Sequence, residues 1–198
     1  NLLYDRQRKQ YQIARQNVQI INRKCHELKV QIADLRRLQP DEATTQSLDE
    51  AEQAARMYDA NAATGNEVLD VVLTEKSLLC EAQRIRLNCV ADGTCLAAIE
   101  PGDLYALFSN LLDQAIDAAA QQPNDRRMID LLVCRRQGFA VINVIGPALS
   151  GSQSDHGRRH SYELKVARRV VQKYSGTMAT EPRGELFAVK IVMPLTRG

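Results

Sequence analysis

The sequence predicts an α+β protein: an N-terminal helical hairpin followed by a layered domain whose mixed sheet is covered by helices. Three observations predict it. Tyr11, Ala14, Val18, Ile21, Cys25, Leu28, Ile32 and Leu35 follow the alternating step of 3 and 4 that marks a heptad seam. From Thr64 onward helix and strand signals alternate instead. Between the two, Thr64-Gly65-Asn66 breaks the periodicity and divides the chain into 1–63 and 64–198.

The first helix runs from the start to about Leu38, where Gln39-Pro40 ends it. Asp41 is an N-cap for a second helix, in which Leu48, Ala51, Ala55, Tyr58 and Ala62 repeat the same step. A two-helix hairpin cannot bury both stripes alone, so a homodimer with a four-helix bundle is expected. In the second part, 67–81 reads as a helix and 85–90 as a strand. Pro101-Gly102-Asp103 opens a helix to about Ala120 that buries Leu104, Leu107, Phe108, Leu111, Leu112, Ala115 and Ile116. Two apolar runs, 128–134 and 139–144, form a hairpin around Arg135-Arg136-Gln137-Gly138. A polar loop over 150–159 precedes a helix over 162–174 with Gly176 as its C-cap. The strands 177–180 and 186–193 close the chain around Pro182-Arg183-Gly184.

Composition excludes several functions. The 198 residues carry 26 Lys and Arg against 24 Asp and Glu, a net charge of +2, so no nucleic-acid partner is suggested. Arg135-Arg136 and Arg158-Arg159 read as solvated faces, and few aromatics and no tryptophan leave no platform for stacked bases. Cys25, Cys80, Cys89, Cys95 and Cys134 form no CxxC pair, the usage of a reducing compartment. No run of about 18 apolar residues spans a bilayer, and no signal peptide is evident. The chain opens on Asn1 inside a helix, so it reads as part of something longer.

The chemistry centres on Cys25-His26-Glu27-Leu28-Lys29-Val30-Gln31. Cys25 lies on the seam, so His26 falls one position outside it and is presented to solvent from a rigid rod beside a carboxylate, Glu27. A histidine held this way can receive or pass on a phosphoryl group. It can equally be an ordinary surface residue of a dimerisation coiled coil.

Four segments in order carry a resemblance to a known family: the histidine box above, the stretch 64–73 with Lys76 following, the helix 104–118 with Asn110, Asp113, Gln114 and Asp117, and 170–176 with the closing strand. Together they resemble the cytoplasmic part of sensor histidine kinases. The branch they resemble is common in Gram-positive peptide-sensing kinases and has an ATPase module called a GHKL domain. The resemblance implies His26 as phospho-acceptor, Glu27 as its orienting residue or base, and a response-regulator receiver domain as partner. It also implies a cytoplasmic location, with membrane attachment only through a segment outside this chain.

The resemblance further implies ATP and Mg²⁺, held by an Asn-x-x-x-Asn helix and a glycine-rich lid turn. Here the pair is Asn110 and Gln114, with Asp117 beyond. A Gln114 carbonyl can ligate Mg²⁺, but its extra methylene displaces the oxygen, and Mg²⁺ demands near-ideal octahedral geometry. Of the lid turn only His156-Gly157 survives, and Ile145-Gly146-Pro147 stands where many such ATPases carry Asp-x-Gly. His156 and His160 lie four apart without a third ligand, so no zinc site is expected. Two readings follow: an ATP-dependent histidine kinase, or a degenerate relative acting as a phosphotransferase or dimeric scaffold.

Overall fold

The computed structural model describes residues 2–38, 41–59, 63–148 and 155–195, without the side chains of 3, 4, 56–59 and 155–163. Helices α1 (Leu2–Arg37) and α2 (Glu42–Asp59) form the hairpin. Asp41 caps α2 by accepting the Thr44 amide at 2.9 Å. Arg36 ties the two helices together through Asp49 and Glu52.

Helix α3 (Glu67–Ala82) starts at Asn66, whose side chain accepts the amides of Val68 and Leu69. Strand β1 (Arg86–Ala91), α4 (Pro101–Ala120), β2 (Met128–Arg136), β3 (Phe139–Pro147), α5 (Asp155–Lys173), β4 (Thr177–Arg183) and β5 (Leu186–Pro194) follow. The sheet order is β1-β2-β3-β5-β4, with β1 parallel to β2 and every other pair antiparallel. The period-2 alternation of β2 and β3 sends Ile129, Leu131, Val133, Ala140, Ile142 and Val144 to the helical side, where all are buried. The opposite face is open, with Val90 and Phe139 exposed. The β2–β3 turn puts Gln137 and Gly138 at φ 47° and 84°, the primed turn that matches strand twist.

The predicted α+β layering stands, and three local expectations change. Helix α5 begins at Asp155 rather than Tyr162, so the stretch expected as polar loop is helical from Asp155. The residue that turns left-handed after α5 is Ser175 (φ 56°), not Gly176. Gly176 follows it and donates its amide to the Val171 carbonyl at 2.9 Å. Gly176 is needed for space: a Cβ there would lie 2.5 Å from Met193 Cγ and 2.9 Å from the Val192 carbonyl oxygen.

The third change concerns the heptad seam. Tyr11, Ala14 and Val18 belong to the same buried cluster as the α4 and sheet side chains. Cys25 and Ile32 are buried outside that cluster, where α2 folds back on α1. Leu28 and Leu35, expected on the seam, are each 48% exposed, because α2 covers only the neighbouring row.

Candidate functional site

Helix α4 is the centre of the site. Pro101 sits at its first turn, and Tyr174 fixes that end: its hydroxyl accepts the Glu100 amide at 3.0 Å and donates to buried Asp103 at 2.7 Å. Lys173 completes the anchor with a 2.6 Å ion pair to Asp103. The apolar stripe from Leu104 to Ile116 faces the sheet and is fully buried. Helical spacing therefore leaves Ser109, Asn110, Asp113 and Asp117 on the outer face, half-buried.

Over that face lies a cavity of about 680 Å³, bounded by α1, α3 and α4 and reached by Val166 of α5. Asn110 lines it, and its Nδ2 donates to the Ala106 carbonyl at 2.6 Å. With the amide nitrogen held there, the carbonyl oxygen is the end offered to a ligand. Lys76 lines the cavity too, its side chain only 6% exposed, bonded to Asp113 at 2.8 Å and Glu75 at 3.5 Å. Ser109 donates to Asp113 at 3.4 Å, and Tyr105 donates to Glu75 at 3.0 Å. Burial, reinforced by the Glu75 charge, pushes the Tyr105 hydroxyl far above its ordinary range, so it stays a donor at every working pH.

Lys76 was legible in the sequence only as part of the domain entry. A sharper signal existed: Leu69, Val72, Leu73, Lys76 and Cys80 share one helical stripe, and a lysine on a buried stripe requires a carboxylate partner. The wall from α1, with Arg6, Gln10 and Asn17, carried no such signal, because nothing in a heptad names its partner.

His26 is exposed on α1, outside the cavity. It lies nine residues beyond Asn17, and at about 100° per residue that is half a turn round the helix. Its neighbour Glu27 accepts from Lys24 at 2.7 Å, with Arg23 at 4.0 Å. The Lys24 hydrogen bond holds the Glu27 carboxyl below its usual range, with Arg23 and His26 adding smaller effects. Within one chain, therefore, the histidine box and Asn110 are not brought together.

Residues 99–194 match the family model of the GHKL domain. This stretch is a GHKL domain. Among solved structures, the catalytic domain of histidine kinase ThkA is similar in two nucleotide-free forms. They are 15% and 16% identical with TM-scores of 0.52 and 0.51, each alignment covering 67% of this chain and 93% or 94% of theirs. The Acinetobacter baumannii histidine kinase AdeS aligns over 86% of this chain and 98% of its own, at 15% identity and TM-score 0.49. At such identities the ThkA likeness is one of fold. No curated protein matches in sequence.

Within the GHKL domain the other expected ligands are scattered. Gln114 is buried and does not line the cavity; Asp117 is half-buried and does not line it either. Gln121 donates to the Asp117 backbone carbonyl at 3.1 Å. His156 and Gly157 fall on the first turn of α5, but their surroundings lie outside the described residues, as do 149–154 of the expected lid, 148–155. Among the described residues no cluster of His, Cys, Asp and Glu could hold a metal ion by itself. No helix among them is long and apolar enough to cross a membrane.

Proposed function

We propose that this chain is the phosphotransfer part of a two-component histidine kinase, with residues 1–63 as dimerisation and phospho-acceptor hairpin and 64–198 as the ATP-binding module. One observation carries the reading: the GHKL domain presents Asn110 to a cavity of about 680 Å³, on the helix face where the family resemblance expects nucleotide. The residues there suit Mg-ATP. Asn110 offers a carbonyl oxygen, Ser109 a hydroxyl, and Asp113 a carboxylate within reach of a divalent cation. Mg²⁺ would neutralise phosphate charge as it does in other phosphoryl transfers.

His26 supplies the nucleophile through a ring-nitrogen lone pair, and Glu27 orients the ring and stabilises the positive charge it gains. The second half of α1 with α2 forms the homodimer, through the exposed Leu28 and Leu35. Because His26 faces away from its own chain's cavity, transfer runs in trans to the histidine of a second copy. A receiver-domain aspartate then accepts the group. The chain works in the cytoplasm, and any membrane segment lies outside it.

The test is incubation with γ-labelled ATP and Mg²⁺, with His26→Gln as control. Label on His26 supports the reading. Mixing His26→Gln chains with Asn110→Ala chains restores labelling only if transfer is in trans. One observation favours a second reading, a phosphotransferase without ATP: Gln114, where the resemblance expects a metal ligand, is buried away from the cavity. That reading predicts no labelling from ATP but transfer to His26 from a phosphorylated receiver domain.

A further inference from the structure

We propose that α1 is a wall of the nucleotide site, with Arg6, Gln10 and Asn17 contacting the nucleotide beside Asn110, so that binding fastens the first helix to the GHKL domain. The inference rests on the ATP reading given above and adds residues from outside the GHKL domain to it.

The placement follows from the seam. Tyr11, Ala14 and Val18 are buried against the domain, and the Tyr11 and Tyr105 rings pack with centroids 5.8 Å apart. Arg15 bonds Glu67 of α3 at 2.7 Å. These contacts fix the rotation of α1 about its axis. Arg6, Gln10 and Asn17 stand four and seven residues apart, one stripe of the helix flanking the seam, and all three line the cavity opposite Asn110. A coiled coil has no use for amides aimed at another domain; a polar ligand between the two helices does.

Charge points the same way. Among the described residues two cations line the cavity, Arg6 and Lys76, and Lys76 is held by Asp113 and Glu75. Those carboxylates repel a polyphosphate unless a divalent cation and a further positive group offset them. Arg6 is that group, with a guanidinium fork suited to phosphate oxygens. A ligand touching both helices binds the docked form better than the undocked one, and by linkage it must strengthen docking to the same degree. The helix that carries His26 thereby reports whether nucleotide is bound.

The experiment titrates the full chain with a fluorescent ADP analogue, with and without Mg²⁺, and follows hydrogen exchange over residues 6–18. Arg6→Ala is expected to weaken binding about tenfold, the loss of one charged hydrogen bond, and Arg6→Lys by less. Tyr11→Ala, which touches no ligand, is expected to weaken binding as well, because the wall is displaced. Exchange over 6–18 should slow when Mg-nucleotide is added. If the native chain binds nucleotide but Arg6→Ala and Tyr11→Ala bind equally well, the helix is a bystander and the inference fails while the ATP reading stands. If either variant binds more tightly, α1 is a plug rather than a wall, and the inference is overturned. If neither the native chain nor Tyr11→Ala binds nucleotide at millimolar concentration, the ATP reading fails and the inference falls with it.

Discussion

Two stretches of α1 carry the same heptad rhythm and meet different surroundings. Tyr11, Ala14 and Val18 are buried in the core of the C-terminal domain, whereas Cys25 and Ile32 are buried beside α2 with Leu28 and Leu35 left open. The first stretch is a fixed wall; the second is a partly covered rod presenting His26. A heptad therefore states that a stripe requires cover, and says nothing of who supplies it. The partner's own stripe decides, and here two partners share one helix.

Substitutions can break or sharpen that contrast. The largest effect belongs to the domain core. Phe108→Ala removes a fully buried ring beneath the cavity floor and should cost about 4 kcal/mol in denaturant unfolding of the full chain. Lys76→Met follows at about 3 kcal/mol, because it strands Asp113 and Glu75 beside each other without their buried cation. If both changes leave α2 as stable as before by hydrogen exchange, the two stretches of α1 are energetically separate; equal loss in both would refute that.

Tyr11→Ala comes next, at about 1–2 kcal/mol, and its effect should be confined to exchange over the first half of α1. Leu28→Ala should change stability by less than about 0.5 kcal/mol in the single chain. A larger loss that grows with protein concentration would show this row covered by a second copy. The smallest effect is a pH dependence at the start of α2. Hydrogen bonds from the Thr44 hydroxyl, and then its amide, hold the Asp41 carboxyl below the ordinary carboxylate range. A depressed carboxyl stabilises the fold above its unfolded value and loses that contribution as pH falls through its folded value. The difference in α2 helicity between the native chain and Asp41→Ala should therefore be full at neutral pH and vanish in acid, read by exchange or circular dichroism.

Much of this fold was legible in residues that act locally. Pro101 marks the start of α4, Asp41 caps α2, and the alternation of β2 and β3 names the buried face; Asn66, read only as a boundary, proves to cap α3. Where the sequence misled, the cause was an effect carried by neighbours. Gly176 resembles a helix cap but is small because Met193 and Val192 crowd it, while Ser175 takes the left-handed turn. Asn110 came into view only through the family resemblance, and it lines the cavity. Gln114 came with it, yet it is buried, a placement that helical periodicity alone does not reveal. Arg6, Gln10 and Asn17 could not be found at all, since their relevance depends on which domain the helix lies against.

The anchor of Asp103, Lys173 and Tyr174 has a mechanical meaning. It joins the first turn of α4 to the last turn of α5, through bonds of 2.6 and 2.7 Å. Helix α5 is thus pinned to α4 at this end as well as packed on it through the buried Ala167, Val170 and Val171. Loss of the Tyr174 hydroxyl therefore leaves the buried Asp103 carboxylate with one donor fewer at the first turn of α4. Because the Tyr174 hydroxyl also holds the Glu100 amide, the same loss bears directly on the start of the helix that carries Asn110.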